Sequence, residues 1–431
     1  MKTIREPSKD TWASLCTRGT KPMKDLEPMV REVFNAIAEE GDEALRHYTR
    51  KFDNVEVSDL KVSADELSSA EDQVSEELKS AISLAKENIY AFHKVQKVEG
   101  AHVETMPGVS CWQTFQPIEK IGLYIPGGTA PLFSTLLMLA IPAAIAGCQE
   151  IRICTPPGKD GKIDPVVLYA AKLCGINSIY KVGGIQAIGA MTYGTKTIPA
   201  VYKIFGPGNQ YVTAAKNYAT QLGVAIDMPA GPSELMIIAD DSANPEFIAA
   251  DLLSQAEHGP DSQVILLTPS QNIIERVKSI VSEQLENIPR KEVASQALQH
   301  SRAVLFTDKE QIAEFMNEYA PEHLIINTQE DTFYKDRVRN AGSVFLGPYT
   351  PESAGDYASG TNHTLPTNGY AKQFSGVTVQ AFLKSITFQE ITPKGLEAIG
   401  PIIETMAAAE KLEGHKNAVS VRLDAIKKSK E

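Results

Sequence analysis

Lys120-Ile-Gly-Leu-Tyr-Ile-Pro-Gly-Gly-Thr-Ala-Pro131 reads as a strand, a glycine turn and the start of a helix. Residues 121–125 are apolar enough for a buried strand. Pro126 to Thr129 can only be a loop, and 131–146 is an apolar helix stopped by Gly147. Downstream the same alternation repeats, with strands at 151–154, 178–182, 202–205 and 224–228 and helices at 165–173, 185–192 and 211–222. It then starts again. Strands at 235–239, 262–267, 303–307, 324–327 and 343–346 alternate with helices at 245–256, 272–286, 311–319 and 332–340. Apolar strands separated by helices predict parallel sheets covered on both faces. Two such runs predict two α/β domains of similar architecture, meeting near Pro229-Ala-Gly-Pro232.

Upstream, 22–50 and 63–98 carry apolar residues at helical spacing, and Ser63-Ala-Asp-Glu66 has the form of a capping box. The tail beyond Gln373 reads as mostly helical, with 395–409 at its centre. It is too short for a core of its own, so it must pack on its own domains or on a second subunit.

A chain of 431 residues suggests two or three domains and a core that needs no disulfides. Its formal net charge of -12 argues against nucleic acid or an anionic membrane as partner. The N-terminus shows no apolar leader, and the longest apolar run, 132–147, is broken by Ser134, Thr135 and Pro142, so a cytoplasmic protein is expected. The cysteines, Cys16, Cys111, Cys148, Cys154 and Cys174, show no CxxC spacing and read as small buried hydrophobes. Cys154 could in principle serve an aldehyde oxidation, but no cationic neighbourhood is visible around it.

Three glycine turns follow predicted strands: the one at Pro126, Gly183-Gly-Ile-Gln-Ala and Phe205-Gly-Pro-Gly-Asn-Gln. Open α/β sheets bind nucleotides at such carboxyl ends, although GxGxxG is absent. Tyr124 could stack on a ring, and Gln186 and Asn209 could bond a ribose or an amide. Ser233 could face the cleft, or it could cap a turn, which is the commoner role of serine. Gln255 and His258, three apart at a helix end, could join a carboxylate around zinc; a histidine there also simply suits the helix dipole. Glu322 and His323 could exchange protons near neutral pH, or lie solvated in a loop. The loop from Pro351 to Pro366 offers Asp356 and His363 as ligands. A helix ending at Gly414 would push His415 outward, to solvent or to a partner.

Taken together, several blocks resemble the histidinol dehydrogenase family over nearly the whole chain. They are Gly122-Leu-Tyr-Ile-Pro-Gly-Gly, Ile204-Phe-Gly-Pro-Gly-Asn, Ile226-Asp-Met-Pro-Ala-Gly-Pro-Ser-Glu, Leu252-Leu-Ser-Gln-Ala-Glu-His-Gly, Pro321-Glu-His-Leu, Ser353-Ala-Gly-Asp-Tyr-Ala-Ser-Gly-Thr-Asn-His and Glu410 to Asn417. The resemblance implies two incomplete Rossmann-like domains with parallel sheets, a short N-terminal arm and a helical C-terminal tail used in dimerisation. The expected division is an arm at 1–20, a zinc and substrate domain at 21–120 with 233–375, an NAD-binding domain at 121–232 and a dimerisation tail at 376–431.

It further implies zinc ligands Gln255, His258, Asp356 and His415, the last reaching the other subunit of a homodimer. Ser233, Gln255, His258, His323, Asp356, Glu410 and His415 would contact substrate, with Glu410 holding its ammonium. Tyr124, Gln186 and Asn209 would contact NAD. Glu322 and His323 would form the acid–base pair in a four-electron oxidation of L-histidinol through the aldehyde to L-histidine. Another zinc- and NAD-linked alcohol dehydrogenase, a zinc hydrolase and a non-catalytic scaffold are the competing readings.

Overall fold

A computed structural model describes residues 1–19, 23–127, 131–229 and 231–431. Residues 128–130 of the first glycine turn, Pro22 at the start of the first predicted helix, and Ala230 at the predicted boundary lie outside them. The strands are β1 (Lys2–Arg5), β2 (His102–Met106), β3 (Val109–Pro117), β4 (Lys120–Tyr124), β5 (Glu150–Thr155), β6 (Ile179–Lys181), β7 (Lys203–Phe205) and β8 (Ala225–Ile226). They continue as β9 (Glu234–Ala239), β10 (Gln263–Thr268), β11 (Arg302–Leu305), β12 (His323–Asn327), β13 (Ser343–Leu346) and β14 (Leu383–Ile391). The chain divides into two compact units, Met1–Gln96 with Ile118–Phe382, and Lys97–Pro117 with Leu383–Glu431.

The first unit is α/β and holds two parallel sheets, ordered β6-β5-β4-β7-β8 and β1-β11-β10-β9-β12-β13. Apart from the added edge strand β1, both follow one winding: the first strand of each run sits centrally, the next two extend to one side and the last two to the other. The reversal points fall between β4 and β7 and between β9 and β12. The N-terminal residues, expected as an arm, contribute β1 as the edge strand beside β11.

Burial explains why these segments become central strands. All six residues of β9 are buried. Leu235, Ile237 and Ala239 face a core shared with helices Pro245–Ala256, Gln271–Leu285 and Lys291–His300, whereas Met236 and Ile238 face one shared with Lys9–Leu15 and Lys309–Tyr319. Alternate side chains of one strand thus enter opposite cores, as the two-residue repeat dictates. Each buried Leu, Ile or Met contributes about 1.5–3 kcal/mol, well above any local propensity. In the other sheet, Tyr124, Cys154, Tyr180 and Ile204 join a core with helices Met23–Glu40, Asp42–Asp53, Gly184–Tyr193 and Gln210–Gln221. The helix expected over 22–50 breaks at Gly41, and the capping box at Ser63 and Glu66 is formed.

The second unit differs most from expectation. Antiparallel β2, β3 and β14 form a three-stranded sheet, so the tail begins with a strand. Helices Pro393–Ala409 and Glu413–Lys428 follow. Gly414 is not the helix stop expected of it. The first helix closes at Lys411, in the left-handed region at φ 61°, where Lys411 N–H donates to Ala408 O and Leu412 N–H to Ala407 O. Those are the two bonds of a Schellman ending, and they spend the last carbonyls before Gly414 is reached. His415 therefore lies in the first turn of the next helix.

Candidate active site

The helix Pro245–Ala256 is capped by Asn244, whose side chain accepts from Glu246 N–H, with Pro245 at its first position. Its 12 residues rise about 18 Å, close to the length of a six-residue strand. A chain leaving β9 at its carboxyl end is thereby returned to the amino edge of the sheet, carrying Gln255 in the last turn. The helix ends at Ala256, so His258 stands just beyond it, its N–H bonded to Gln255 O at 3.3 Å. Ser233 and Glu234 open β9 at the same edge, and Glu322 and His323 open β12 beside them. Gly342 lets the neighbouring backbone close up, since a Cβ there would lie 2.5 Å from Glu322 O. The short helix Glu352–Tyr357 adds Glu352 and Asp356.

These side chains converge. His323 Nε2 lies 3.6 Å from Asp356 Oδ1, and His258 Nε2 lies 3.9 Å from Asp356 Oδ2. His323 Nδ1 is 3.7 Å from Glu322 Oε2 and 3.8 Å from Glu352 Oε1. Ligand atoms of His258, Glu352 and Asp356 all fall within 4.8 Å of one another, a spacing that suits one cation. In the orientation that satisfies its neighbours, the Gln255 amide nitrogen faces Glu352 Oε1 at 2.8 Å, His323 Nδ1 at 3.0 Å and Glu234 O at 3.3 Å. Only its carbonyl oxygen is left for a cation. His323 Nδ1 lies 3.2 Å from Glu234 O, and Nε2 is buried without a hydrogen-bond partner among the described residues.

Electrostatics follow from burial and charge. Burial pushes the Glu322 carboxyl up to about 8, against the pull of His323. Burial alone would lower His323, but Glu322, Asp356 and Glu352 outweigh it and push the imidazole up to about 10. Upward is the direction for both, with the proton shared across the pair. Asp356 is held down to about 2, since the facing imidazoles of His323, His363 and His258 outweigh its burial. Burial lowers His258, and the neighbouring His323 and His363 add to that against the opposite pull of Asp356. A neutral imidazole, an ionised carboxylate and an amide oxygen form a donor set that fits zinc.

His363, expected as a possible ligand, has both ring nitrogens engaged. Nδ1 lies 2.8 Å from Asp356 O and Nε2 3.1 Å from Thr135 Oγ1. Thr135 belongs to the helix Phe133–Ala146 that follows the first glycine turn, so His363 ties the cluster to the other sheet.

At that sheet the glycine turns meet on the carboxyl edge. A Cβ on Gly206 would lie 2.1 Å from Tyr124 O, so only glycine, here at φ 127°, allows β7's exit to cross β4. Tyr124 Oη accepts from Gly184 N–H at 3.2 Å, and the fully buried Gln186 leaves its Oε1 without a partner among the described residues. Asn209 caps the helix Gln210–Gln221, its Oδ1 taken by the N–H groups of Tyr211 and Val212. Beside the edge is a cavity of about 510 Å³ lined by Pro126, Gly127, Thr155, Pro156 and Lys162 among others, but by none of Tyr124, Gln186 and Asn209.

The family model for histidinol dehydrogenase matches residues 16–423. The chain belongs to this family. It is 57% identical to the histidinol dehydrogenase of Bacteroides thetaiotaomicron over 99% of this chain and all of that one. It is 52% identical to that of Escherichia coli K12 over 92% and 91% of the two chains. The crystal structure of histidinol dehydrogenase from Elizabethkingia anophelis superposes with a TM-score of 0.96 at 56% identity, covering 99% of both chains. An acetylating aldehyde dehydrogenase from Geobacillus thermoglucosidasius shares the fold, at a TM-score of 0.50 and 15% identity over 88% and 94%.

Within this oxidoreductase family, the first unit assembles Ser233, Gln255, His258, Glu322, His323 and Asp356 at one sheet edge. Glu410 and His415 lie on the second unit, both exposed. Two residues at the site escaped the sequence reading. Glu352, 1% exposed, was passed over for Asp356, four residues later in the same loop. Arg18 reaches Glu234 with paired bonds of 2.9 Å beneath the cluster. No local signal marks either of them. Cys154 is fully buried in β5, where burial pushes its thiol up to about 12, so it carries no thiolate at neutral pH.

Proposed function

We propose that this chain oxidises L-histidinol through L-histidinaldehyde to L-histidine with NAD as hydride acceptor, in the cytoplasm, as a homodimer whose active sites are shared. The observation that carries the reading is the buried Glu322–His323 pair set against the donors Gln255, His258 and Asp356. A zinc ion bound there, with the partner copy's tail completing the set through His415, would supply a fixed anchor for the substrate's amine and imidazole nitrogens.

The protein's own groups do the rest. His323 Nε2, which has no hydrogen-bond partner among the described residues, takes the hydroxyl proton as hydride leaves the carbinol carbon for NAD. Glu322, pinned by the Glu234 N–H at 2.9 Å, takes a proton from the water that adds to the retained aldehyde. The hydrate then yields its own proton and hydride, the latter to a second NAD. Ser233 and Glu410 contact the substrate, Glu410 at its ammonium. Tyr124, Gln186 and Asn209 contact NAD, supported by the convergence of glycine turns and helix N-termini at the carboxyl edge. The inert Cys154 has no part in it.

The second unit, which carries Glu410 and His415, also exposes Ile386, Phe388, Ile402, Met406, Leu412 and Val421, apolar surface suited to a second copy. Five free cysteines suit a reducing compartment, and no helix among the described residues is long and apolar enough to cross a membrane.

With limiting L-histidinol and excess NAD, about two NADH per histidinol are expected, since a four-electron oxidation delivers two hydrides. A chelator should abolish the yield and zinc restore it. About one NADH would mean an alcohol dehydrogenase that releases its aldehyde, and none would remove the substrate assignment. For the shared site, inactive His258→Asn and His415→Asn chains are mixed under subunit exchange. Statistical exchange puts half the chains in mixed dimers with one intact site each, so about a quarter of wild-type activity should return. No recovery would place His415 in its own chain's site.

A further inference from the structure

We propose that Lys216 and Asp227 are positioning residues for the cofactor: together they hold both polar groups of Gly206, and so fix the 206–209 turn against Tyr124 in the shape that receives NAD. This rests on the cofactor reading above, which gives Tyr124 and Asn209 to NAD. The strand β7 ends at Phe205, so the N–H and C=O of Gly206 lie beyond the sheet ladder. Gly206 is buried at φ 127°, and glycine has the widest backbone freedom of any residue. Buried backbone groups need partners, and here both partners are side chains. Gly206 N–H donates to Asp227 Oδ2 at 2.8 Å, and Lys216 Nζ donates to Gly206 O at 2.8 Å. The clamp closes on itself, because Lys216 Nζ also donates to Asp227 Oδ1, which accepts Met228 N–H at 2.7 Å. Its two halves come from different elements. Asp227 follows β8, whereas Lys216 lies about two turns into the helix that Asn209 caps. The Lys216 and Asp227 side chains are 2% and 1% exposed. Apolar residues often serve stability as well as a buried ion pair does, so stability alone does not account for a lysine here. What an apolar side chain cannot supply is a donor for Gly206 O. A Cβ on Gly206 would lie 2.1 Å from Tyr124 O, so this peptide is pressed against the end of β4. Any rotation of it changes the spacing between Tyr124 and Asn209.

Stability and cofactor affinity, measured side by side, separate positioning from a merely structural role. Lys216→Met removes the donor to Gly206 O and leaves Asp227 buried without its cation, so the urea midpoint should fall. Lys216→Met combined with Asp227→Asn strands no charge, and most of the lost midpoint should return. NAD affinity is read by calorimetric titration of the zinc-loaded protein, and rates are read with L-histidinol. The double variant should bind NAD at least about tenfold more weakly than the wild type, because the turn must then be ordered on binding. Its KM for NAD should rise in step, while kcat at saturating NAD and the KM for L-histidinol stay within about threefold, the pattern of lost ground-state binding. An NAD affinity that returns together with the midpoint would overturn the positioning role. So would a loss that falls equally on kcat and on L-histidinol. Asn209→Asp is the separate control, since it keeps the oxygen that caps the helix and removes the amide NH2. If it binds NAD as the wild type does, the assignment of Asn209 to the cofactor falls, and the proposal with it.

Discussion

Glu322→Gln should leave histidinol oxidation to the aldehyde within about tenfold of wild type and slow aldehyde oxidation by about 10²–10⁴-fold, the usual worth of a general base. The substitution isolates the proton-accepting role. Gln has the volume of Glu, and its carbonyl can still accept the Glu234 N–H that now holds Oε2 at 2.9 Å. His323 keeps its contacts to Glu234 O and Asp356. What the variant cannot do is take a proton from water. Supplied with L-histidinol, it should release a first NADH per site and then stall, so the early yield drops from about two to about one. Supplied with the aldehyde, it should be nearly inactive. Full activity on the aldehyde would sink the water-activating role and move it to His323.

Both sheets were legible in the sequence for one reason. A strand buried on both faces must be apolar along its middle, and 235–239 and 264–267 have no other place to go. The glycine turns were legible because close approach at Gly206 admits no side chain. The second unit's sheet was not. The β14 strand is exposed along eight of its nine residues, so no buried face forces a readable alternation. Gly414 misled because the left-handed turn is made by Lys411, a residue whose identity does not announce it.

The site was partly legible. Gln255, His258 and the Glu322–His323 pair stand in short distinctive segments, and the family resemblance pointed to them. Their shared address at the amino edge was hidden, because the turns visible in the sequence mark carboxyl edges. Glu352 was hidden because what marks it, burial against Ser254, is distant in sequence.

Arg18 is the extreme case of a residue without a local signal, and its removal should have the largest effect on stability. Its side chain is 6% exposed, and the guanidinium meets the fully buried Glu234 in a bidentate pair. It also donates to Cys16 O and Tyr319 O at 2.7 Å and lies 3.7 Å over the Tyr319 ring. Burial disfavours its charge, but Glu234 and Tyr319 more than compensate, so the guanidinium stays protonated. Arg18→Met keeps the length and strands a carboxylate inside the protein, at a cost of about 3–5 kcal/mol. The urea midpoint should fall accordingly, with an unchanged slope showing that stability and not compactness has moved. Activity should fall too, because Glu234 holds Glu322 through its N–H and His323 through its carbonyl. Removing both charges together is different. In Arg18→Met with Glu234→Gln no ion is stranded, and Gln can still accept the Asn368 N–H that Glu234 accepts at 2.6 Å. Most of the lost stability should return, as it does when a buried ion pair is replaced whole. A single Arg18→Met variant that melts at the wild-type midpoint would show that Glu234 takes up a proton at little cost, and the anchoring role of the pair would be lost.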